Sequence, residues 1–163
     1  MATYERSVRV SAPFEEVWAF HSDESGLVAL TPEWMNLEIE SVTGPDGESD
    51  PDVLETGAEI HSSVRPLNVG PRQDWVSKIT ERKESDGSAH FVDVMAEGPF
   101  PEWEHTHMFY ADGEETIVRD RVVYEFPFGA LGRAAGPFGV VGFEPFFRYR
   151  HCRTKELLEE PTG

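Results

Sequence analysis

His105-Thr106-His107 sets two imidazoles at i and i+2, and Asp120 follows downstream. On an extended strand that spacing puts both rings on one face. A carboxylate beside an imidazole fixes its tautomer and raises its basicity, which is what a general base requires. His105 with Asp120 is therefore the candidate catalytic pair, suited to proton abstraction next to a carbonyl, as in an aldol cyclisation or a dehydration. Tyr124 or Arg148 would hold the enolate oxygen if either points inward, and His151 approaches from the C-terminal helix. The alternative is structural: Asp120 and the histidines satisfy one another inside a polar-lined core, as buried charges must.

The same His-x-His pair, with Asp120 as a third donor, has the ligand types of a zinc or iron site. The cupin arrangement adds a Glu four or five positions after the second His, where this chain has Ala111 and Asp112. No metal site is expected, and no cofactor is assigned.

Positioning falls to residues 102–126, which read as a β-hairpin: Glu102 to Tyr110, an Asp112-Gly113 turn, then Glu115 to Phe126. A two-residue type I′ turn pairs Ala111 with Glu114, His105 with Asp120 and Glu104 with Arg121. A four-residue turn pairs His107 with Asp120 instead, and the period of two leaves every side chain on the same face. Trp103, His105, His107, Asp120 and Tyr124 then point inward, while Glu104 and Arg121 face water. Trp75, Phe91, Met95, Trp103 and Phe109 recur at one-face spacing on strands, as core or as cavity wall. Trp18 and Trp34 read as structural.

The chain has 163 residues, 39% of them hydrophobic, enough for one domain with a substantial core over 1–163. No apolar run reaches the roughly 20 residues of a membrane span, and no basic-then-apolar N-terminus signals export, so the expected location is cytoplasmic. A lone cysteine, Cys152, excludes an internal disulfide and an all-thiolate metal site. The formal charge is −17, with 31 acidic residues against 11 Arg and 3 Lys. That charge repels nucleic acid and disfavours stable association with anionic membranes. Its spread along the chain, with Lys so scarce, is the pattern of a protein from a salt-accumulating, halophilic source.

Thr3 to Ser11 alternates as an edge strand, and Ser11-Ala12-Pro13 looks like a helix start, with Ser11 or Ala12 capping and Pro13 in the first turn. Phe14, Val17, Trp18 and His21 follow at helical spacing. A second short helix spans Glu24 to Leu30. Met35, Leu37 and Ile39 alternate as a half-buried strand, residues 43–57 form an acidic exposed loop, and strands follow near Ala58 to Pro66, Gln73 to Arg82 and Ala89 to Glu97. Residues 126–147 are apolar and Gly-rich, broken by Pro127, Pro137 and Pro145. They suit a mobile flap over a cavity, a packed connection, or a partner surface. From Gly139 a helix carries Phe143, Phe147, Arg150 or His151, Thr154 and Leu158 as one stripe. On it Arg148 and His151 share a face that reaches an anionic head group. The last four residues should fray.

This order, with the Ser-Ala-Pro-Phe-Glu-Glu-Val-Trp start at residues 11–18, resembles the polyketide cyclase/dehydrase-like branch of the START/Bet v 1 (SRPBCC) superfamily. Gly98-Pro99-Phe100, Trp103 to His107 and Phe147 to His151 are similar to an uncharacterised subgroup of it. The resemblance implies an α+β helix-grip fold: a curved seven-stranded antiparallel sheet around a long C-terminal helix, with two short helices after the first strand. It also implies a central cavity for a small hydrophobic ligand, lined here by Trp75, Phe91, Trp103, His107, Tyr124, Phe147, Arg148 and His151. Fold does not fix chemistry. The expected function is binding of an apolar or aromatic small molecule by a monomer or homodimer. The alternatives are a cyclase or dehydratase with the His105–Asp120 base, and an interaction module using 126–147.

Overall fold

The computed structural model describes residues 1–159, so the expected fraying of 160–163 lies outside the described residues. In chain order the elements are β1 (Ala2–Val10), α1 (Phe14–Phe20), α2 (Glu24–Leu30), β2 (Glu38–Thr43), β3 (Glu59–Val64), β4 (Gln73–Ser85), β5 (Ser88–Glu97), β6 (Glu102–Asp112), β7 (Glu115–Glu125), α3 (Gly129–Ala135) and α4 (Val140–Leu158). The seven strands form one antiparallel sheet in the order β1-β7-β6-β5-β4-β3-β2. Consecutive strands from β2 to β7 are neighbours, and β1 closes onto β7 as one edge. Register shifts in β2 and at two places along the β4–β5 ladder bend the strands and increase their twist, which curves the sheet around α4 in the helix-grip arrangement.

Two apolar clusters fill the interior. At one end Val17 and Trp18 of α1 pack on Phe91 and Phe109, with the Trp18 ring edge-on to Phe109 at 5.2 Å and the Arg82 guanidinium 4.2 Å above the Trp18 ring. At the other end Phe147 of α4 is fully buried against Tyr4, Trp103, Val122 and Tyr124.

Several local expectations need correction. Pro13 occupies the N-cap of α1, before the first turn, and no side chain caps that helix. Glu33–Met35 is a short 3-10 turn ended by Asn36 in the left-handed region (φ 51°), so the alternation begun at Met35 becomes a strand only at Glu38. Asn36 is held there because its side-chain amide donates to the Arg65 carbonyl at 3.0 Å. The acidic 43–57 loop is largely exposed, yet Leu54 inserts into the core. In the hairpin the loop is Gly113-Glu114: Asp112 pairs with Glu115, His107 with Asp120, His105 with Val122 and Glu104 with Val123. Gly113 takes φ 63° at the first loop position, as a type II′ loop requires, and Asp112 stays in the ladder, ion-paired with Arg9. The pairing differs from the type I′ register by two, an even step, so the faces are unchanged and Glu104 and Arg121 are exposed.

Residues 126–147 hold α3, a 3-10 turn and the first turns of α4, with Pro145 inside that helix. Phe126 and Phe143 pack on the Trp103–Tyr124 cluster, whereas Phe128, Leu131, Phe138 and Val141 are exposed.

Candidate functional site

β5, β6 and β7 lie side by side, and their inward rows converge. Across the ladders Asp93 stands opposite His105, and His107 opposite Asp120. The hydrogen bonds run on the diagonals, which long and aromatic side chains can span. His105 Nε2 lies 2.7 Å from Asp120 Oδ1 and His107 Nε2 2.6 Å from Asp93 Oδ2. Between the carboxylates the two imidazoles stack, centroids 3.6 Å apart, and Phe91 stacks on the far side of His107 at 4.0 Å.

The second oxygen of Asp120 is held from α4: His151 Nε2 lies 2.5 Å from Oδ2. His151 Nδ1 faces Arg6 Nη1 at 3.1 Å. A guanidinium only donates, so Nδ1 is the acceptor and the His151 proton sits on Nε2, donated to Asp120. Arg6 in turn pairs with Glu144 at 3.3 Å. Asp120 thus accepts from two imidazoles. Burial pushes its carboxyl upward, but the bonds from His105 and His151 and the charge of the neighbouring imidazoles outweigh that and hold it well below the ordinary range. Because Asp120 accepts at Nε2–H of His105, the neutral His105 ring presents Nδ1 as its free lone pair, 3.8 Å from Asp93 Oδ2. His107 is a different case. Burial and the adjacent His105 lower it to about 4 against the opposing pull of Asp93, so it is neutral near pH 7.

A cavity of about 500 Å³ opens over this cluster, walled by the sheet, α2 and α4. Of the residues selected from sequence, Trp75, Phe91, Trp103, His105, His107 and Phe147 line it. Four do not. Asp120 and His151 are buried behind His105. Tyr124 lies under Phe143 at 4.7 Å and donates its hydroxyl to the Gly136 carbonyl at 2.5 Å. Arg148 is 63% exposed and pairs with Glu144 at 3.1 Å, because one residue beyond Phe147 on a helix turns about 100° away from the buried stripe.

Sequence reasoning passed over Asp93, placed Arg150 in the helical stripe without a role in the cavity, and read Trp34 as structural; all three line the cavity. Asp93 shares its strand face with Phe91 and Met95, so the same alternation that turned those inward carried the signal. Arg150 belongs to the Phe147–Thr154 stripe and is buried. Trp34, 44% exposed, gives no comparable pattern because the short turn holding it has no periodicity. Among the described residues Asp93, His105 and His107 are also the group whose donor atoms lie close enough to hold a metal ion. Asp93 therefore takes the place that sequence gave to Asp120 in that reading.

The family model described as "Polyketide cyclase / dehydrase and lipid transport" matches residues 10–143. Among solved structures, a START superfamily protein from Mycobacterium smegmatis superposes with a TM-score of 0.62 at 16% identity, covering 96% of this chain and 99% of that one. Norcoclaurine synthase from Thalictrum flavum, in complex with dopamine and hydroxybenzaldehyde, gives 0.64 at 15% identity, over 99% and 88%. A protein from Arthrobacter aurescens gives 0.67 at 14% identity, over 99% and 88%. At these identities the likeness is one of fold. No curated protein matches the sequence.

Proposed function

Because this chain belongs to the Polyketide cyclase / dehydrase and lipid transport family, we propose that it binds an apolar or aromatic small molecule bearing at least one polar group, in the cavity above His105 and His107. The observation that carries this reading is the cavity itself: about 500 Å³, within the range of small-molecule sites, with a mainly apolar wall and a few convergent polar groups. Native mass spectrometry of protein purified from its own host is expected to reveal a co-purified small molecule. Protein that carries nothing, and whose tryptophan fluorescence is not altered by 1-anilinonaphthalene-8-sulfonate, would overturn the proposal.

A second reading, a cyclase or dehydratase, is favoured by one feature: the Asp120–His151–Arg6 chain behind His105 leaves Nδ1 of the neutral ring as the acceptor. The two separate on His105→Gln. For a binder we expect affinity to change by about tenfold or less, the worth of one hydrogen bond. An enzyme would lose turnover by ~10²–10⁴-fold, as for removal of a general base. An interaction module would use the exposed Phe128, Leu131, Phe138 and Val141.

The charge of −17 supports a high-salt setting for this activity, since dense counterions screen the self-repulsion. The melting temperature is expected to rise between dilute buffer and molar KCl. Equal stability in both removes that reading.

A further inference from the structure

Arg150 is the feature that the network around Asp120 leaves unexplained. It stands on α4, is only 7% exposed, and lines the cavity. Each of the other arginines has an acceptor. Arg6, Arg9, Arg72, Arg119, Arg121, Arg133, Arg148 and Arg153 meet carboxylates, Arg65 donates to the Gly70 carbonyl, and Arg82 donates to Ser22. Among the described residues no hydrogen bond or ion pair reaches the Arg150 guanidinium, whose carbon lies 5.9 Å from the Phe146 ring centroid. Asp93 and Asp120 act on it only through their field; both oxygens of Asp120 are engaged by His105 and His151, and Oδ2 of Asp93 by His107.

A guanidinium carries five N–H donors and cannot shed its charge. In the open cavity water can solvate it. An apolar ligand body that fills the cavity expels that water, and the stranded donors then oppose binding unless the ligand supplies an acceptor of its own. A planar oxyanion meets the guanidinium fork with two parallel hydrogen bonds and a compensating charge. We infer that the cavity takes an amphipathic acid, an apolar body with a carboxylate, and that Arg150 is the carboxylate receptor. This rests on the cavity-binding reading and adds the ligand's chemical class to it. It also moves the anion-binding role that sequence gave to Arg148 two residues along the helix.

The test uses a matched pair of probes, 2-naphthoic acid and its methyl ester, titrated at pH 7.5 against the fluorescence of the cavity tryptophans. The wild-type protein is expected to bind the acid about 10–100-fold more tightly than the ester, the worth of a charge-assisted hydrogen bond. Arg150→Gln is expected to lose that preference while holding the ester within about threefold, which also demonstrates that the variant is folded. Arg150→Lys, a point charge without the fork, should retain part of it. Equal affinity of the wild-type protein for acid and ester would overturn the inference and leave the cavity reading standing. A preference for the acid that survives in Arg150→Gln would overturn the assignment to Arg150. Failure of both probes to bind wild-type protein would overturn the inference and the cavity reading together.

Discussion

Replacing Asp120 with alanine is expected to cost about 3–5 kcal/mol of folding stability, because it breaks a buried ionic network by removing one partner. For a chain of this length that lowers the melting temperature by roughly 6–20 °C. The cost comes from what is left behind. Asp120 is 4% exposed and is the common acceptor of His105 and His151. Without it two imidazole N–H groups lose their partner in the interior, and Arg6 still donates into His151 from the other side. Thermal and urea denaturation of Asp120→Ala measures the loss. A change under about 1 kcal/mol, the net worth of a single ordinary hydrogen bond, would show that the carboxylate is not the keystone of the network.

Asp120→Asn sharpens the point because it keeps the shape and changes the donor count. An amide offers one acceptor oxygen and a donating NH2 group. Arg6 holds His151 in its Nε2–H form, so the Asn oxygen must face His151 and the NH2 must face His105. His105 then has to accept at Nε2 and carry its proton on Nδ1. The substitution is thus expected to be milder than alanine and to switch the His105 tautomer, visible in the imidazole 15N shifts. An unchanged His105 tautomer would contradict the chain of donors drawn from Arg6.

How much of this was legible in the sequence follows from the kind of signal each feature carries. Alternation along β6 and β7 determined the inward faces, and it survived an error in the turn because pairing that moves by two keeps parity. The turn was misjudged because Asp112-Gly113 is a strong type I′ signature, while an ion pair with Arg9 on a distant strand keeps Asp112 in the ladder. A long-range contact of that kind has no local trace. The direct opposition of His105 and Asp120 was wrong, yet their hydrogen bond exists, made diagonally. Asp93 was readable from period two and was passed over. Arg150 was readable as a member of the buried stripe, but its want of a partner was not, since that depends on which carboxylates every neighbouring strand has already committed. The helical character of 129–139 was obscured by its four glycines and one proline, which disfavour a helix locally and are overridden here by packing of the flanking Phe126 and Phe143 on the core.

Lowering the pH from about 6.5 to about 4 is expected to remove about 3 kcal/mol of stability through His21 alone. His21 closes α1, is 9% exposed, and lies against the Phe109 ring at 4.8 Å. Its Nδ1 is 2.8 Å from the Val17 carbonyl; a carbonyl only accepts, so Nδ1 bears the proton in the neutral ring. Burial lowers its pKa to about 4 from 6.5, against the opposing effect of that hydrogen bond. The folded-state value lies below the unfolded one, so between the two the unfolded chain binds the proton and the native state does not. Stability is therefore complete above about 6.5, declines as the pH falls, and levels off below about 4 as far as this group is concerned. The depressed carboxyl of Asp120 acts in a lower window, its contribution complete above the ordinary carboxylate range and lost progressively as the pH falls from there to its folded value. His107, which is also lowered to about 4, adds in the same direction as His21, so the total acid sensitivity does not identify either residue. A difference measurement does. His21→Leu fills the same apolar site without a titrating group, and its unfolding free energy should fall less than that of the wild-type protein between pH 7.5 and 4.5 by about 2–3 kcal/mol. Parallel pH profiles for the two proteins would mean that His21 is protonated in the folded state as readily as in the unfolded chain, and that the interior around α1 is wetter than its packing implies.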